Sequence, residues 1–120
     1  MAGYLRREAA RIVERCGNTA EGLAVVWREE ASFSQWVAAN VASAGLALAV
    51  EMNTAERALI IGFGLMVLVT ELLNTGIEAA IDRVGEERHP LAKKAKDAAC
   101  AAVALSAAAT GVVWLIVLIG

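Results

Sequence analysis

The chain has 120 residues, of which 58% are hydrophobic and 5% aromatic, and its mean hydropathy is +0.57. Soluble domains contain roughly 45–50% apolar residues, and a chain of this length cannot bury so large an excess in one core. We therefore expect a single integral-membrane domain over residues 1–120. The net charge of −2 lacks the basic excess typical of nucleic-acid binding, so no nucleic-acid partner is expected.

The beginning of the chain has the pattern of a helix at a membrane surface. Apolar residues recur at helical spacing over residues 4–16, and charged residues take most of the remaining positions. Such a segment is too polar to span a bilayer and is typical of a surface helix. Gly17-Asn18 predicts a break, and a second helical stretch is expected over residues 20–35. The surface helices together would occupy about residues 4–33.

Three apolar segments follow and predict three membrane-spanning helices. They lie at about residues 34–50, 58–81 and 98–119. A spanning helix needs about 20 residues, so the first segment is short and must include residues that precede Trp36. The sequence therefore predicts an all-α membrane protein with three transmembrane helices and an amphipathic surface helix.

The distribution of basic residues predicts the orientation of these spans. Residues 1–35 and the loop 82–97 carry five Lys and Arg residues each, whereas the connection 51–57 carries only Arg57. Basic flanks face the cytoplasm. We therefore expect a cytoplasmic N-terminus and a C-terminus on the periplasmic or external side.

A polar stripe interrupts the second predicted span, in the sequence TELLNTGIEAAIDRV. At about 100° per residue, Glu71, Asn74, Glu78 and Asp82 share one helical face. A carboxylate at apolar depth costs about 2.5 kcal/mol or more. The stripe could be a helix end whose acids are solvated among headgroups, or a packing contact made by Asn74. It could also line the pore of a small channel, or carry out chemistry.

The chemical interpretation assigns each carboxylate a role. A desolvated Glu71 could act as a general base. Glu78 and, from another helix, Glu30 could supply carboxylate oxygens, the ligands that Mg²⁺ prefers. Magnesium in turn points to a phosphate-bearing substrate. The basic loop places His89, Lys93, Lys94 and Lys96 on the cytoplasmic side, where Lys93 and Lys94 could contact lipid headgroups. Lys96-Asp97, at the start of the third span, could bind a polyphosphate.

The segment TELLNTGIEAAIDRVGEERHPLAKKAKDAACAAV resembles the signature region of the small prokaryotic diacylglycerol kinase family. The polar stripe and Lys96-Asp97 fit that signature, and GLAVVWREEASFSQ resembles the surface segment of the family. The resemblance covers nearly the whole chain. It implies a homotrimeric enzyme of the bacterial inner membrane that uses ATP and Mg²⁺ to phosphorylate the hydroxyl of a lipid.

The resemblance also implies roles for individual residues. Glu71 takes the place of the catalytic base, and Glu30 and Glu78 take those of the metal ligands. The nucleotide and cofactor positions are Arg11, Asn18, Glu30, Asn74, Glu78, Glu87, Arg88, His89, Lys96 and Asp97. The lipid substrate positions are Arg11, Trp27, Ser32, Phe33, Gln35, Arg57, Glu71, Cys100 and Trp114.

The acceptor lipid is expected to be diacylglycerol, with undecaprenol, the acceptor of the sister branch, as the alternative. Ser34 and Trp36 stand where diacylglycerol kinases of the family often have Arg and Glu. A non-enzymatic channel or assembly protein is the alternative of another class. A channel would need polar positions along its span, but residues 58–69 carry no charge and are almost entirely apolar. The sequence therefore favours the kinase.

Overall fold

The computed structural model describes residues 1–120, and it contains four α-helices and no strand. The helices are α1 (Ala2–Glu29), α2 (Ala31–Ala49), α3 (Thr54–Val84) and α4 (Pro90–Ile119). The prediction of an all-α protein is confirmed. The chain divides into two compact units, Met1–Ala31 and Ser32–Gly120.

The first unit contains one continuous helix, so the predicted break at Gly17-Asn18 is wrong. Gly in a helix costs about 1 kcal/mol relative to Ala and Asn costs less, which a helix of 28 residues tolerates. Thr19 does not begin a new helix, because its Oγ1 donates to the carbonyl oxygen of Arg15 at 2.9 Å. The predicted stretch 20–35 is instead divided at Glu30, whose backbone is extended (φ −114°, ψ 101°).

The side chains of α1 lie almost wholly at the surface of its unit. None of them is buried, and Leu5, Ile12 and Val13 are all more than half exposed. Charged residues occupy most of the positions between these apolar residues. The helix is therefore amphipathic, as predicted, and its apolar residues are available to an apolar surface.

In the second unit α3 and α4 pack along each other, and the core runs between the helices as a narrow stripe. On α3 the buried apolar positions are Ile60, Gly64 and Val67, which the spacing of four and three residues places on one face. The buried residues of α2 and α4 are Phe33, Ala47, Ala99 and Val103. Most other apolar side chains of this unit are exposed.

Two polar contacts hold α2 against the other helices. The side chain of Asn40 lies over Gly64 of α3, and a Cβ atom at Gly64 would be only 2.3 Å from Asn40 Oδ1. The indole Nε1 of Trp114 on α4 donates to Ser43 Oγ at 2.8 Å. The lack of a side chain at Gly64 thus leaves the space that the Asn40 side chain occupies against α3.

The helices extend beyond the apolar segments from which the spans were predicted. α3 begins at Thr54 because Asn53 forms a capping box with Glu56, with hydrogen bonds of 2.8 and 3.0 Å. α4 begins at Pro90, a residue favoured in the first helical turn. Lys93, Lys94, Lys96 and Asp97 are therefore helical and belong to the first turns of α4.

Two helices, α3 and α4, are long and apolar enough to cross a membrane. This finding supports a membrane protein. The 19-residue helix α2 does not meet the same criterion of length and hydropathy, because Gln35, Asn40 and several serines interrupt its apolar sequence.

Candidate active site

The buried face of α3 changes from apolar to polar at Glu71. This residue lies four positions after Val67 and continues the stripe of buried residues, with only 4% of its surface exposed. Asn74, Glu78 and Asp82 follow at spacings of three, four and four residues on the same side of the helix. The polar stripe predicted from the sequence is thus an extension of the packing face of α3.

Glu71 is held by a hydrogen bond from a neighbouring helix. Ser32, in the first turn of α2, donates its hydroxyl to Glu71 Oε1 at 2.6 Å. A buried carboxylate without such a donor would be strongly destabilising, so this bond offsets part of the cost of removing Glu71 from water. The sequence placed Ser32 among the lipid-binding residues, but it gave no sign of this pairing across 39 positions.

Asn74 carries an unsatisfied hydrogen-bond acceptor. Its Oδ1 atom is buried and has no hydrogen-bond partner. A buried polar atom left unpaired costs about 1–3 kcal/mol. Asn74 lies between Glu71 and Glu78 along the stripe, so the oxygen is suited to a bound group that brings a donor or a cation.

The oxygen atoms of this stripe fit the kind of site that magnesium uses. The chain contains no group of three or more His, Cys, Asp or Glu side chains that could enclose a metal by themselves. Mg²⁺ is commonly held by only one or two carboxylates, together with water and substrate phosphates. Glu78 and the unpaired oxygen of Asn74 match that requirement, while Glu30 follows the last residue of α1 in the first unit.

A cavity of about 870 Å³ lies where α3 connects to α4. It brings together five of the residues predicted to bind nucleotide: Glu87, Arg88, His89, Lys96 and Asp97. Asp82 and Lys93, which were not among the predicted binding residues, also line it. The cavity thus combines several cationic side chains with acidic ones, and their binding role stays a prediction.

Two ion pairs organise the cationic side chains of the cavity. Lys96 Nζ lies 2.7 Å from Asp82 Oδ1 and joins α4 to α3, and Lys93 pairs with Asp97 one turn along α4. The hydrogen bond to Asp82 raises the pKa of Lys96 above its usual value, with a smaller contribution from the charge of Glu78 and a smaller opposing effect of burial. Lys96 therefore stays positively charged beside the polar stripe.

His89 is fixed at the edge of the cavity by its role in helix capping. Its Nδ1 accepts a hydrogen bond from the backbone N–H of Leu91 at 3.1 Å. This bond occupies one ring nitrogen, so Nε2 is the ring atom that a bound molecule could meet.

The predicted lipid-binding residues of the second unit are spread along the helices. Phe33 is buried beside Ser32, whereas Gln35 and Cys100 are exposed. Arg57 Nε donates to the carbonyl oxygen of Ala47 at 2.7 Å and so caps the end of α2. Arg57 precedes Glu71 by 14 residues, or about 21 Å of helix.

Trp114, another predicted lipid-binding residue, makes the hydrogen bond to Ser43 already described. Both Arg57 and Trp114 therefore have a structural contact, and their role in lipid binding stays a prediction.

The remaining predicted site residues belong to the first unit. Arg11 pairs with Glu8 at 2.8 Å on the exposed surface of α1. Asn18 is exposed, and Trp27 is half exposed near the end of the helix. Their proposed contacts with substrate stay predictions.

A comparison with known protein families shows to which family this chain belongs. The model of the prokaryotic diacylglycerol kinase family matches residues 17–118. The chain belongs to the prokaryotic diacylglycerol kinase family. The match includes Ser32, Glu71 and all the residues around the cavity of α3 and α4.

Individual members of this family are similar over most of their length. A diacylglycerol kinase of Pseudomonas aeruginosa is 41% identical over 110 residues, which are 92% of this chain and 89% of the relative. The diacylglycerol kinase of Escherichia coli K12 is 34% identical over 90% of this chain and 88% of its own. That of Helicobacter pylori strain 26695 is 38% identical over 78% of this chain and 73% of its own. The similarity thus covers most of each chain rather than one short shared segment.

Proposed function

We propose that this protein is a diacylglycerol kinase, which transfers the γ-phosphate of ATP to the free hydroxyl of diacylglycerol and releases ADP and phosphatidic acid. The observation that carries this proposal is the 41% identity to a diacylglycerol kinase over 92% of the chain. The reaction needs a proton acceptor and cationic groups that bind phosphate. The buried carboxylate of Glu71 would supply the first, and the charged cavity at the start of α4 would supply the second.

Glu71 serves as the general base. It accepts the proton of the lipid hydroxyl while the hydroxyl oxygen bonds to the γ-phosphorus. The bond from that phosphorus to the bridging oxygen of ADP breaks in the same step. Phosphoryl transfer depends mainly on positioning the reactants and on neutralising the charge of the phosphates. One well-placed base is therefore sufficient to accept the proton of the lipid hydroxyl.

The cavity binds the nucleotide. Lys96, held in its charged state by Asp82, and Arg88 supply cations for the phosphate oxygens. From Asp82 at the cavity, the polar stripe leads back 11 residues, or about 16 Å, to Glu71. An extended triphosphate along this stripe would bring its γ-phosphate towards the base.

Glu78 and Glu30, assisted by Asn74, would hold a magnesium ion. Bound there with the nucleotide, the ion would neutralise part of the negative charge of the phosphates. The unpaired, buried oxygen of Asn74 supports this assignment, because it is an acceptor that the protein alone leaves unsatisfied.

The helices α2, α3 and α4 would cross the bacterial inner membrane, with α1 at the cytoplasmic surface and the C-terminus in the periplasm. The polar residues of α2 do not prevent its insertion, since they have partners within the protein. Asn40 Nδ2 donates to the carbonyl oxygen of Trp36 at 3.0 Å, and Ser43 accepts from Trp114. The concentration of Lys and Arg in residues 1–35 and 82–97, against Arg57 alone in the connection 51–57, supports this orientation.

The active form would be a homotrimer. Most apolar side chains of α3 and α4 are exposed in the single chain, among them Leu65, Leu73 and Leu105. Three neighbouring helices cannot surround a polar site, and a second copy would cover the open side. Lipid substrate would enter laterally from the bilayer.

The test is transfer of labelled γ-phosphate in mixed micelles that contain either diacylglycerol or undecaprenol, with and without Mg²⁺. We expect magnesium-dependent labelling of diacylglycerol. Labelling mainly of undecaprenol would mean that undecaprenol, and not diacylglycerol, is the acceptor lipid. If the folded protein labels neither lipid, it is not a lipid kinase.

A further inference from the structure

We propose that Ser32 is a positioning residue for phosphoryl transfer, which holds the carboxylate of Glu71 so that Oε2 receives the proton of the lipid hydroxyl. The inference rests on the proposed function, and it assigns to Ser32 a task beyond contact with the lipid. It also assigns different tasks to the two oxygens of Glu71.

The hydrogen bond has the direction and length that this task requires. Ser32 Oγ lies 2.6 Å from Glu71 Oε1, within the range of about 2.5–2.7 Å typical of a hydroxyl donating to a charged carboxylate. The hydroxyl donates to Oε1 and so engages that oxygen, which leaves Oε2 to meet the lipid hydroxyl. Since Glu71 is 4% exposed, water has little opportunity to replace this donor.

The position of Ser32 is set by packing as well as by its hydroxyl. Ser32 lies in the first turn of α2, and the next residue, Phe33, is one of only two buried side chains of that helix. Serine at the start of a helix often bonds to the backbone of its own turn. Here the hydroxyl reaches across to α3, so the start of α2 determines where the Glu71 carboxylate points.

Loss of the hydroxyl would affect the chemical step more than substrate binding. Without it, the carboxylate group could rotate about its terminal side-chain bond, which has a broad torsional minimum, and Oε2 would face the substrate for less of the time. The nucleotide cavity begins at Ile81, ten residues or about 15 Å along α3 from Glu71. The KM for ATP should therefore hardly change.

The test compares Ser32→Ala with Ser32→Thr in the full-length protein, assayed with diacylglycerol, ATP and Mg²⁺ in mixed micelles. We expect Ser32→Ala to lower kcat about 10- to 100-fold, the range for loss of one hydrogen bond to a charged group, with the KM for ATP within about twofold of wild type. Ser32→Thr restores a hydroxyl and should recover kcat to within about threefold of wild type.

Thr70→Ala is the matched control. Thr70 adjoins Glu71 in sequence, but its Oγ1 donates to the carbonyl oxygen of Val67 at 2.8 Å within α3. Its loss should leave kcat unchanged. Thermal unfolding of all variants separates positioning from stability, because Ser32→Ala should lose activity at a temperature where it is fully folded.

The outcomes separate this inference from the proposed function. If wild type labels diacylglycerol and Ser32→Ala matches it in kcat, the positioning role is wrong while the kinase assignment stands. A loss in Ser32→Ala that Ser32→Thr does not recover, or that accompanies unfolding, also overturns the role of the hydroxyl. Wild-type protein that is folded but phosphorylates no lipid would overturn both.

Discussion

At the scale of single residues, the protein places one carboxylate where water is scarce and provides it with one donor. Glu71 occupies a position in the packing stripe of α3 that Ile or Val would fill with less cost, as Ile60 and Val67 do nearer the start of that helix. The hydrogen bond from Ser32 reduces that cost without removing it. A residue kept in so unfavourable a place is consistent with the proposed role of Glu71 as general base.

Lys96 provides a test of the proposed nucleotide site in the cavity of α3 and α4. Replacing it by Met removes the cation beside Asp82 while preserving the length of the side chain. We expect Lys96→Met to raise the KM for ATP about 10-fold or more, because a charge-assisted contact with phosphate is lost. Steady-state kinetics with varied ATP would measure the change.

The control for Lys96→Met is Lys94→Met, since Lys94 is exposed on the same helix and does not line the cavity. The ion pair of Lys96 and Asp82 is largely exposed, so its loss should hardly affect stability. Equal effects of the two substitutions on the KM for ATP would argue against a nucleotide site at this cavity.

Glu78 provides a test of the proposed metal ligands. Glu78→Gln keeps the shape of the side chain and removes its charge. We expect the Mg²⁺ concentration that gives half-maximal rate to rise about 10-fold or more, because Mg²⁺ is held by few carboxylates. Titration of the rate with MgCl₂ at saturating ATP would show this shift.

Glu51→Gln is the matched substitution for Glu78→Gln, because Glu51 is exposed in the connection before α3. If Glu78→Gln needs the same Mg²⁺ concentration as wild type, Glu78 is not a ligand of the metal.

At the scale of helices, Gly64 of α3 leaves room for the Asn40 side chain of α2. Gly64→Ala would place a Cβ atom 2.3 Å from Asn40 Oδ1, so Asn40 must move and its bond to Trp36 is strained or lost. We expect a loss of about 1–3 kcal/mol in the free energy of unfolding, as is typical of overpacking. Thermal or denaturant unfolding in detergent would measure it.

Gly62→Ala is the control at this scale, because a Cβ atom at Gly62 would meet no atom within 4 Å. Gly62 and Gly64 lie in the same helix, and both substitutions have the same effect on helix propensity, which favours Ala over Gly. If Gly64→Ala is as stable as Gly62→Ala, the contact with Asn40 does not limit the approach of the two helices.

Sequence patterns predicted the two helices that contain long, continuous apolar segments. The spans predicted at 58–81 and 98–119 lie within α3 and α4, and the sequence missed only the polar turns at their ends. The predicted break at Gly17-Asn18 failed because local propensities of about 1 kcal/mol do not end a long helix. The actual end of α1 at Glu29 coincides with the change from charged to apolar sequence.

The polar stripe of the candidate site was equally predictable, because it depends on spacing within one helix. The contacts between helices were not predictable. Ser32 with Glu71 and Lys96 with Asp82 depend on the register of neighbouring helices, which no pattern within one segment determines. The family signature identified most of the residues concerned, but not which of them touch.

At the scale of the whole molecule, the chain combines a polar site with helices whose outer surfaces are apolar. Leu105 and Leu118 of α4 are both more than 60% exposed, as expected for side chains that face lipid or a neighbouring subunit. The cavity of α3 and α4 lies at the end of the bundle with the basic loop, where nucleotide would arrive from water. The proposed reaction thus takes place where the aqueous and lipid substrates can meet.

The most direct test of the proposed reaction is transfer of labelled γ-phosphate from ATP to diacylglycerol by wild type and by Glu71→Gln, both purified as folded oligomers. We expect magnesium-dependent phosphatidic acid from the wild type and a rate at least about 100-fold lower from Glu71→Gln, which keeps the size of the side chain but lacks the proton acceptor. Glu71→Gln with most of the wild-type rate would contradict the assignment of the base, and a folded wild type that labels no diacylglycerol would contradict the kinase itself.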